Sequence, residues 1–130
     1  MPRTTTLRAA ILDHLHGLAT MTVPTGWDIG LSTTDPATAV TEPGGNYARA
    51  TVANGSGQWT RTGSVVTNIN PVSFGAPSGS SWGTITHVLY YRAGSSVLDG
   101  YSAHQQPVVT QVGVSVSIAA GQLSHTELSA

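Results

Sequence analysis

Apolar residues recur at Leu7, Ile11, Leu15 and Leu18, with Leu12 and Ala19 beside them, and this near-helical spacing predicts a short amphipathic helix. Thr4, Thr5 and Thr6 offer N-cap hydroxyls ahead of it, and Gly17 or the Met21–Pro24 stretch ends it. From Trp27 the period changes to two. Trp27, Ile29 and Leu31 alternate with Asp28, Gly30 and Ser32, the pattern of a half-buried strand. Turn chemistry at Thr33–Pro36 and Glu42–Gly45 then brackets a connecting loop.

Further strands are expected over Tyr47–Ala53, Gln58–Thr62 and Val65–Asn70, with a short extended piece at Pro71–Phe74. The Asn54-Gly55-Ser56-Gly57 turn favours a hairpin between the first two. Thr84–Arg92 carries Ile85, Leu89 and Tyr91 on one face and Val88 and Tyr90 on the other, so it reads as a central strand covered on both sides. Val97–Tyr101 follows. A long strand then places Val108, Val112, Val114, Val116 and Ile118 on one face, and Gln122–Leu128 closes the chain. Short strands between Gly/Pro/Ser turns predict a mainly β fold. The expected architecture is an antiparallel β-sandwich, Ig-like or jelly-roll-like, behind one short N-terminal amphipathic helix. Residues 1–22 form the arm and helix; residues 23–130 form the sandwich domain.

At 130 residues the chain is long enough for one domain with a core of its own. Only 8% of residues are charged, against roughly a quarter in an average protein, so hydroxyls and amides carry the polarity. That composition suits a surface packed against neighbours in an assembly. A net charge of -1 and a pI of about 6.5 give no electrostatic footprint for nucleic acid or an anionic membrane. All five cations are Arg (Arg3, Arg8, Arg49, Arg61, Arg92) and are scattered along the chain. The absence of Cys removes disulfides, thiolate metal sites and Cys nucleophiles. No apolar run is long enough to span a bilayer, and Asp13, His14 and His16 interrupt the N-terminal stretch, so no signal peptide is expected.

Few constellations could carry chemistry. Gly79-Ser80-Ser81-Trp82-Gly83 matches the Gly-x-Ser-x-Gly nucleophile elbow, with Asp99 and His104 or His125 in workable order. That mechanism needs the Ser on a turn between a strand and a helix, whereas a Ser/Gly loop precedes Ser81 and a strand follows it. His14 and His16 point to different sides of a helix, and His87, His104 and His125 lack ligand spacing. Asp35 and Glu42 could serve one loop as oxygen ligands, without a calcium-loop pattern around them. Trp59, Tyr90, Tyr91 and Tyr101 could line a sugar-binding face, although strand aromatics more often anchor cores or interfaces. No phosphate cradle leads into a helix. Neither a catalytic residue, a metal nor a cofactor is therefore assigned.

The most telling pair of segments is Glu42-Pro43-Gly44-Gly45-Asn46-Tyr47-Ala48-Arg49 and Ser81-Trp82-Gly83-Thr84-Ile85-Thr86-His87. With Ile11–Leu15, Leu31–Pro36 and Ala119–Leu123 they form an ordered set spanning nearly the whole chain. In that set the chain resembles a family of small tailed-bacteriophage structural proteins of the tail-fibre-like or minor structural type. Members of that family open with an "ILDHLL"-type helix, pass through Gly-Gly-x-Tyr-Ala-Arg and Trp-Gly-Thr-Ile/Val-Thr-His motifs, and end in an "A-A-G-x-L" hairpin. The chain departs from the pattern in Asn54–Asn70, which holds Trp59 and Arg61, and at Tyr90-Tyr91-Arg92.

The resemblance implies a non-enzymatic virion component, assembled in the bacterial host cytoplasm, without catalytic residues. Its expected partners are other virion proteins, either the major capsid protein or tail proteins, and further copies of itself, a trimer among the options. Capsid decoration and a tail- or fibre-associated role both fit. Candidate interface residues are Leu7, Ile11, Leu15 and Leu18 on the helix, with Trp59, Arg61 and Tyr91 as further anchors. The alternative is a β-sandwich module that binds carbohydrate or a receptor, such as a host-surface glycan. A small hydrolase built on Ser81 is a distant third.

Overall fold

The computed structural model describes residues 4–22 and 24–126. The first three residues of the expected arm, and the end of the last expected strand at 127–128, lie outside the described residues. Among the described residues one helix, α1 (Thr5–Leu15), precedes nine strands: β1 (Gly26–Ser32), β2 (Ala50–Ala53), β3 (Trp59–Thr62), β4 (Val65–Asn68), β5 (Val72–Gly75), β6 (Thr84–Arg92), β7 (Leu98–Val109), β8 (Val116–Ile118) and β9 (Ser124–Thr126). All pairings are antiparallel. The strands form a four-stranded sheet in the order β2-β1-β6-β7, a three-stranded sheet β3-β4-β9, and a two-stranded sheet β5-β8.

The protein is thus mainly β with one short N-terminal helix, as its periodicity predicts, in a sandwich-like arrangement. Its core gathers Ile29, Leu31, Val52, Ile85, Val88 and Tyr90 from the large sheet. Val72, Val116 and Ile118 from the small sheet meet them, with Trp82 and Leu123 filling between. β6 lies between β1 and β7 and is buried on both faces, so its double apolar pattern reports its central place.

Helix α1 starts where a threonine hydroxyl can cap it. Thr4 adopts an extended backbone and its side chain accepts from the Leu7 amide at 3.4 Å. The Thr4 amide donates to the carbonyl of Asp99 on β7 at 2.9 Å, which ties the helix start to the sheet. Leu7 is buried at that junction, worth about 1.5–3 kcal/mol. The helix closes at Leu15, with Gly17 in the left-handed region at φ 71°.

Three local expectations are overturned. β2 does not form a hairpin with β3: it pairs with β1, and β3 pairs with β4 across Gly63-Ser64. The strand that starts at Tyr47 in the sequence reading begins at Ala50, because Gly44–Arg49 is occupied in the side-chain network described below. The long valine strand is split. β7 extends through Pro107 to Val109, and β8 covers only Val116–Ile118. Between them Gly113 sits at φ 80° and donates its N–H to Pro77, a turn that β-alternation alone does not reveal. Val112 and Val114 are consequently exposed.

Candidate functional site

The two telling segments meet on the large sheet. Register places Asp28 opposite Tyr91 and Gly30 opposite Leu89, so Gly30, Leu89 and Tyr91 share one face of β1 and β6. The loop after β1 crosses that face. Gly45 takes the left-handed conformation at φ 66° and allows the turn that returns the Tyr47 amide to the Gly44 carbonyl. Beyond it, Tyr47 reaches inward. Its hydroxyl accepts from the Leu31 amide at 2.8 Å and donates to Glu42 Oε1 at 2.8 Å.

Arg49 closes the loop on itself. It grips Glu42 through Nε at 3.0 Å and through a terminal nitrogen at 2.8 Å, a two-pronged pair that uses the planar guanidinium fork. The same guanidinium lies 3.5 Å from the centroid of the Tyr91 ring. Gly30 makes room for this packing: a Cβ there would sit 2.9 Å from Glu42 Oε1 and 3.2 Å from the Tyr47 hydroxyl.

Burial alone would push the Glu42 carboxyl up. Hydrogen bonds from Arg49 and Tyr47, with the Arg49 charge, outweigh it and hold the group below the ordinary glutamate range. Tyr47 moves strongly the other way, raised first by burial and then by the neighbouring carboxylate. The phenol therefore stays protonated and remains a donor.

The second segment joins at Asn46. The Trp82 indole N–H donates to Asn46 Oδ1 at 3.1 Å, and the Trp82 ring meets Tyr47 edge-on with centroids 5.6 Å apart. Asn46 also donates to the Ala76 carbonyl at 2.8 Å and accepts from the Ser78 amide at 3.1 Å. One side chain thus fixes two loops. Every hydrogen-bonding group in this cluster faces another part of the chain. Such an arrangement rigidifies a scaffold.

Ser81 belongs to the same corner. Its hydroxyl lies 3.2 Å from Thr110 Oγ1 and accepts from the Gly83 amide at 2.9 Å. It precedes a strand, not a helix, so the nucleophile-elbow geometry is not met. Asp99, the acid of that reading, is fully buried and holds Arg92 through bonds of 2.7 and 3.3 Å. His104 is lowered by burial, and His14 Nδ1 accepts from the Met21 amide. No group of three or more metal-ligating side chains occurs among the described residues.

The interface candidates divide sharply. Leu7 and Tyr91 are each 3% exposed, the first under the helix start and the second under Arg49, so neither side chain offers surface to a partner. Ile11 is half-buried, while Leu15 is 70% and Leu18 78% exposed, with Leu12 beside them at 56%. Trp59 packs against the core and donates its indole N–H to the Ala53 carbonyl at 3.2 Å. Arg61 is exposed and bonds the Gly63 carbonyl at 2.8 Å. The proposed aromatic sugar face does not assemble. Tyr90 and Tyr91 are buried, and Tyr101 stacks edge-on with His87.

Fold and site together define a β-rich scaffold domain whose most distinctive residues brace its own loops. The chain matches the family model described as podophage GP4 fiber I protein gp80 over residues 2–126, and it belongs to that family. It is accordingly a tailed-phage fibre-type structural protein. No curated protein matches the chain. The two telling segments thus bear on fold more than on contact. The sequence places Gly30 in the β1 alternation and Asn46 in the first telling segment, but what each does appears only when strand register and the loop crossing are known.

Proposed function

We propose that the chain is a non-enzymatic fibre-associated subunit of the phage tail, docked to its virion neighbours through the exposed face of α1. The observation that carries this reading is the trio Leu12, Leu15 and Leu18, at 56%, 70% and 78% exposure on and just beyond a helix fixed at its other end. Scattered apolar surface residues are ordinary, whereas leucines left open together at the end of a helix whose start is anchored suit an assembly contact. The fibre description of the family supports a tail rather than a head location. The residue 1–22 segment then serves attachment and the β domain serves as the body.

The test is incorporation. Purified virions carrying Leu15→Glu and Leu18→Glu together are compared with wild type by quantitative mass spectrometry against the major capsid protein. The reading expects a low copy number in wild-type particles and its loss in the variant, with the isolated variant as stable as wild type. Wild-type incorporation of the variant would sink the docking face. A copy number in lattice-wide ratio to the capsid protein would favour head decoration instead.

A further inference from the structure

The Asn54-Gly55-Ser56-Gly57 turn has hairpin chemistry but closes no hairpin, since β2 and β3 do not pair. Its first two residues answer separate demands of the fold. Asn54 is a clamp. Its main-chain N–H donates to the Thr25 carbonyl at 3.0 Å, and its side-chain Nδ2 donates to the Pro24 carbonyl at 2.5 Å. These bonds hold the segment entering β1 against the end of β2. Gly55 sits at φ 129°, where a side chain would be strained, so the turn needs glycine there. The two demands together put an asparagine directly before a glycine.

That pair has a chemistry of its own. The main-chain nitrogen after an asparagine is placed to attack the side-chain amide carbon and close a five-membered succinimide, one source of asparagine's lability. Attack needs that nitrogen free to give up its proton. The four asparagines differ on this point. After Asn46, the Tyr47 N–H is bonded to the Gly44 carbonyl, and after Asn68, the Ile69 N–H is bonded to the Gln58 carbonyl at 2.9 Å. Asn70 precedes Pro71, which has no N–H. The Gly55 N–H has no hydrogen-bond partner among the described residues, and nothing lies within 4 Å of the place a Cβ would take. The carboxamides divide in the same way. Those of Asn46 and Asn68 are bonded through both oxygen and nitrogen, whereas Asn54 is held through its nitrogen alone among the described residues. Gly55, Ser56 and Gly57 are exposed, so water reaches the turn.

We infer that Asn54-Gly55 is a spontaneous modification site, where deamidation releases the clamp between β2 and the segment entering β1. The step needs only water. The Gly55 nitrogen gives its proton to solvent and bonds Asn54 Cγ; the Cγ–Nδ2 bond breaks, and Nδ2 leaves as ammonia with a proton returned from solvent. Water then opens the ring at either carbonyl, giving aspartate or isoaspartate. Both products carry a carboxylate in place of the carboxamide. A carboxylate accepts hydrogen bonds and donates none, so the Pro24 carbonyl loses its donor. Isoaspartate also inserts a carbon into the main chain before Gly55. Because ammonia is lost, the change accumulates with the age of the chain. It does not depend on the α1 docking reading.

Ageing of the purified full chain in warm, mildly alkaline buffer tests the site, with peptide mass spectrometry as the readout and the same chain in concentrated urea as reference. The folded chain should gain the amide-to-acid mass change and isoaspartate at residue 54, while Asn46 and Asn68 stay intact. Asn54 left intact in the folded chain but modified in urea overturns the proposal, since the clamp would then protect the pair. Modification of Asn46 or Asn68 at the same pace as Asn54 overturns it too. Asn54→Asp, which leaves the main chain unchanged, reads the consequence. Hydrogen exchange of the residue 54 amide, relative to its unfolded rate, should quicken about fivefold, the effect of one lost hydrogen bond. Exchange as slow as wild type in both the aged chain and Asn54→Asp would overturn release of the clamp.

Discussion

Trp82 and Asn46 meet at 3.1 Å, indole N–H to side-chain carbonyl, and that contact joins the corner before β6 to the loop that crosses β1. Asn46 holds the Ala76 and Ser78 main chain at the same time. Asn46→Ala removes all of these bonds together. A loss of about 2 kcal/mol is expected, read as a lower urea midpoint at unchanged slope. Asn46→Asp keeps an acceptor for Trp82 and Ser78 and should cost less.

Tyr47→Phe tests the inward side of the same loop. It deprives the Leu31 amide, at a fully buried residue, of its acceptor. It also takes one donor from Glu42. Stability should fall by about 1–3 kcal/mol, and the Leu31 amide should lose hydrogen-exchange protection before its strand neighbours do.

The Glu42–Arg49 pair should show in the pH dependence. The carboxyl of Glu42 titrates lower in the folded chain than in the unfolded one. Its contribution is therefore present above the unfolded value, about 4.3, and is lost as pH falls through the lower folded value. Glu42→Gln should be less stable than wild type at neutral pH, with the gap narrowing in acid. Arg49→Lys should cost about 1 kcal/mol, since a lysine cannot reproduce the two-pronged grip or lie flat over Tyr91. Thermal melts from neutral pH down to pH 3 check both.

Gly30→Ala tests close approach. The added methyl carbon would meet Glu42 Oε1, the Tyr47 hydroxyl and Leu89 Cβ at 2.9–3.3 Å. Overpacking of this kind costs about 1–3 kcal/mol. Because the clash falls on the Glu42 network, Gly30→Ala combined with Glu42→Ala should cost less than the sum of the single changes in a double-mutant cycle.

Periodicity made the large features legible: the helix, β1, the doubly buried β6 and the mainly β class follow from spacing alone. Pairing was less legible. Asn54–Gly57 has the chemistry of a hairpin turn, yet β2 gains more by lying against β1, where Val52 enters the core. Val112 and Val114 alternate like strand residues, but Gly113 turns the chain between them. Within the site, the loop from Glu42 to Arg49 was visible as a motif, while its meaning was not. Its residues satisfy one another across Gly30, a relation that depends on which face of β1 the loop crosses. The exposure of Leu15 and Leu18 was equally hidden, since a helical stripe looks the same whether it meets the body or a neighbour.

The chain keeps much of its sparse charge for internal use. Arg49 is committed to Glu42, Arg92 to Asp99, and Asp28 to the Thr51 hydroxyl and the Gly94 amide. On the proposed docking through α1, a subunit built this way would be seated by dry, shape-matched contact more than by ion pairs. Concentrated sodium chloride should leave it in place, and mild chaotropes or detergent should release it.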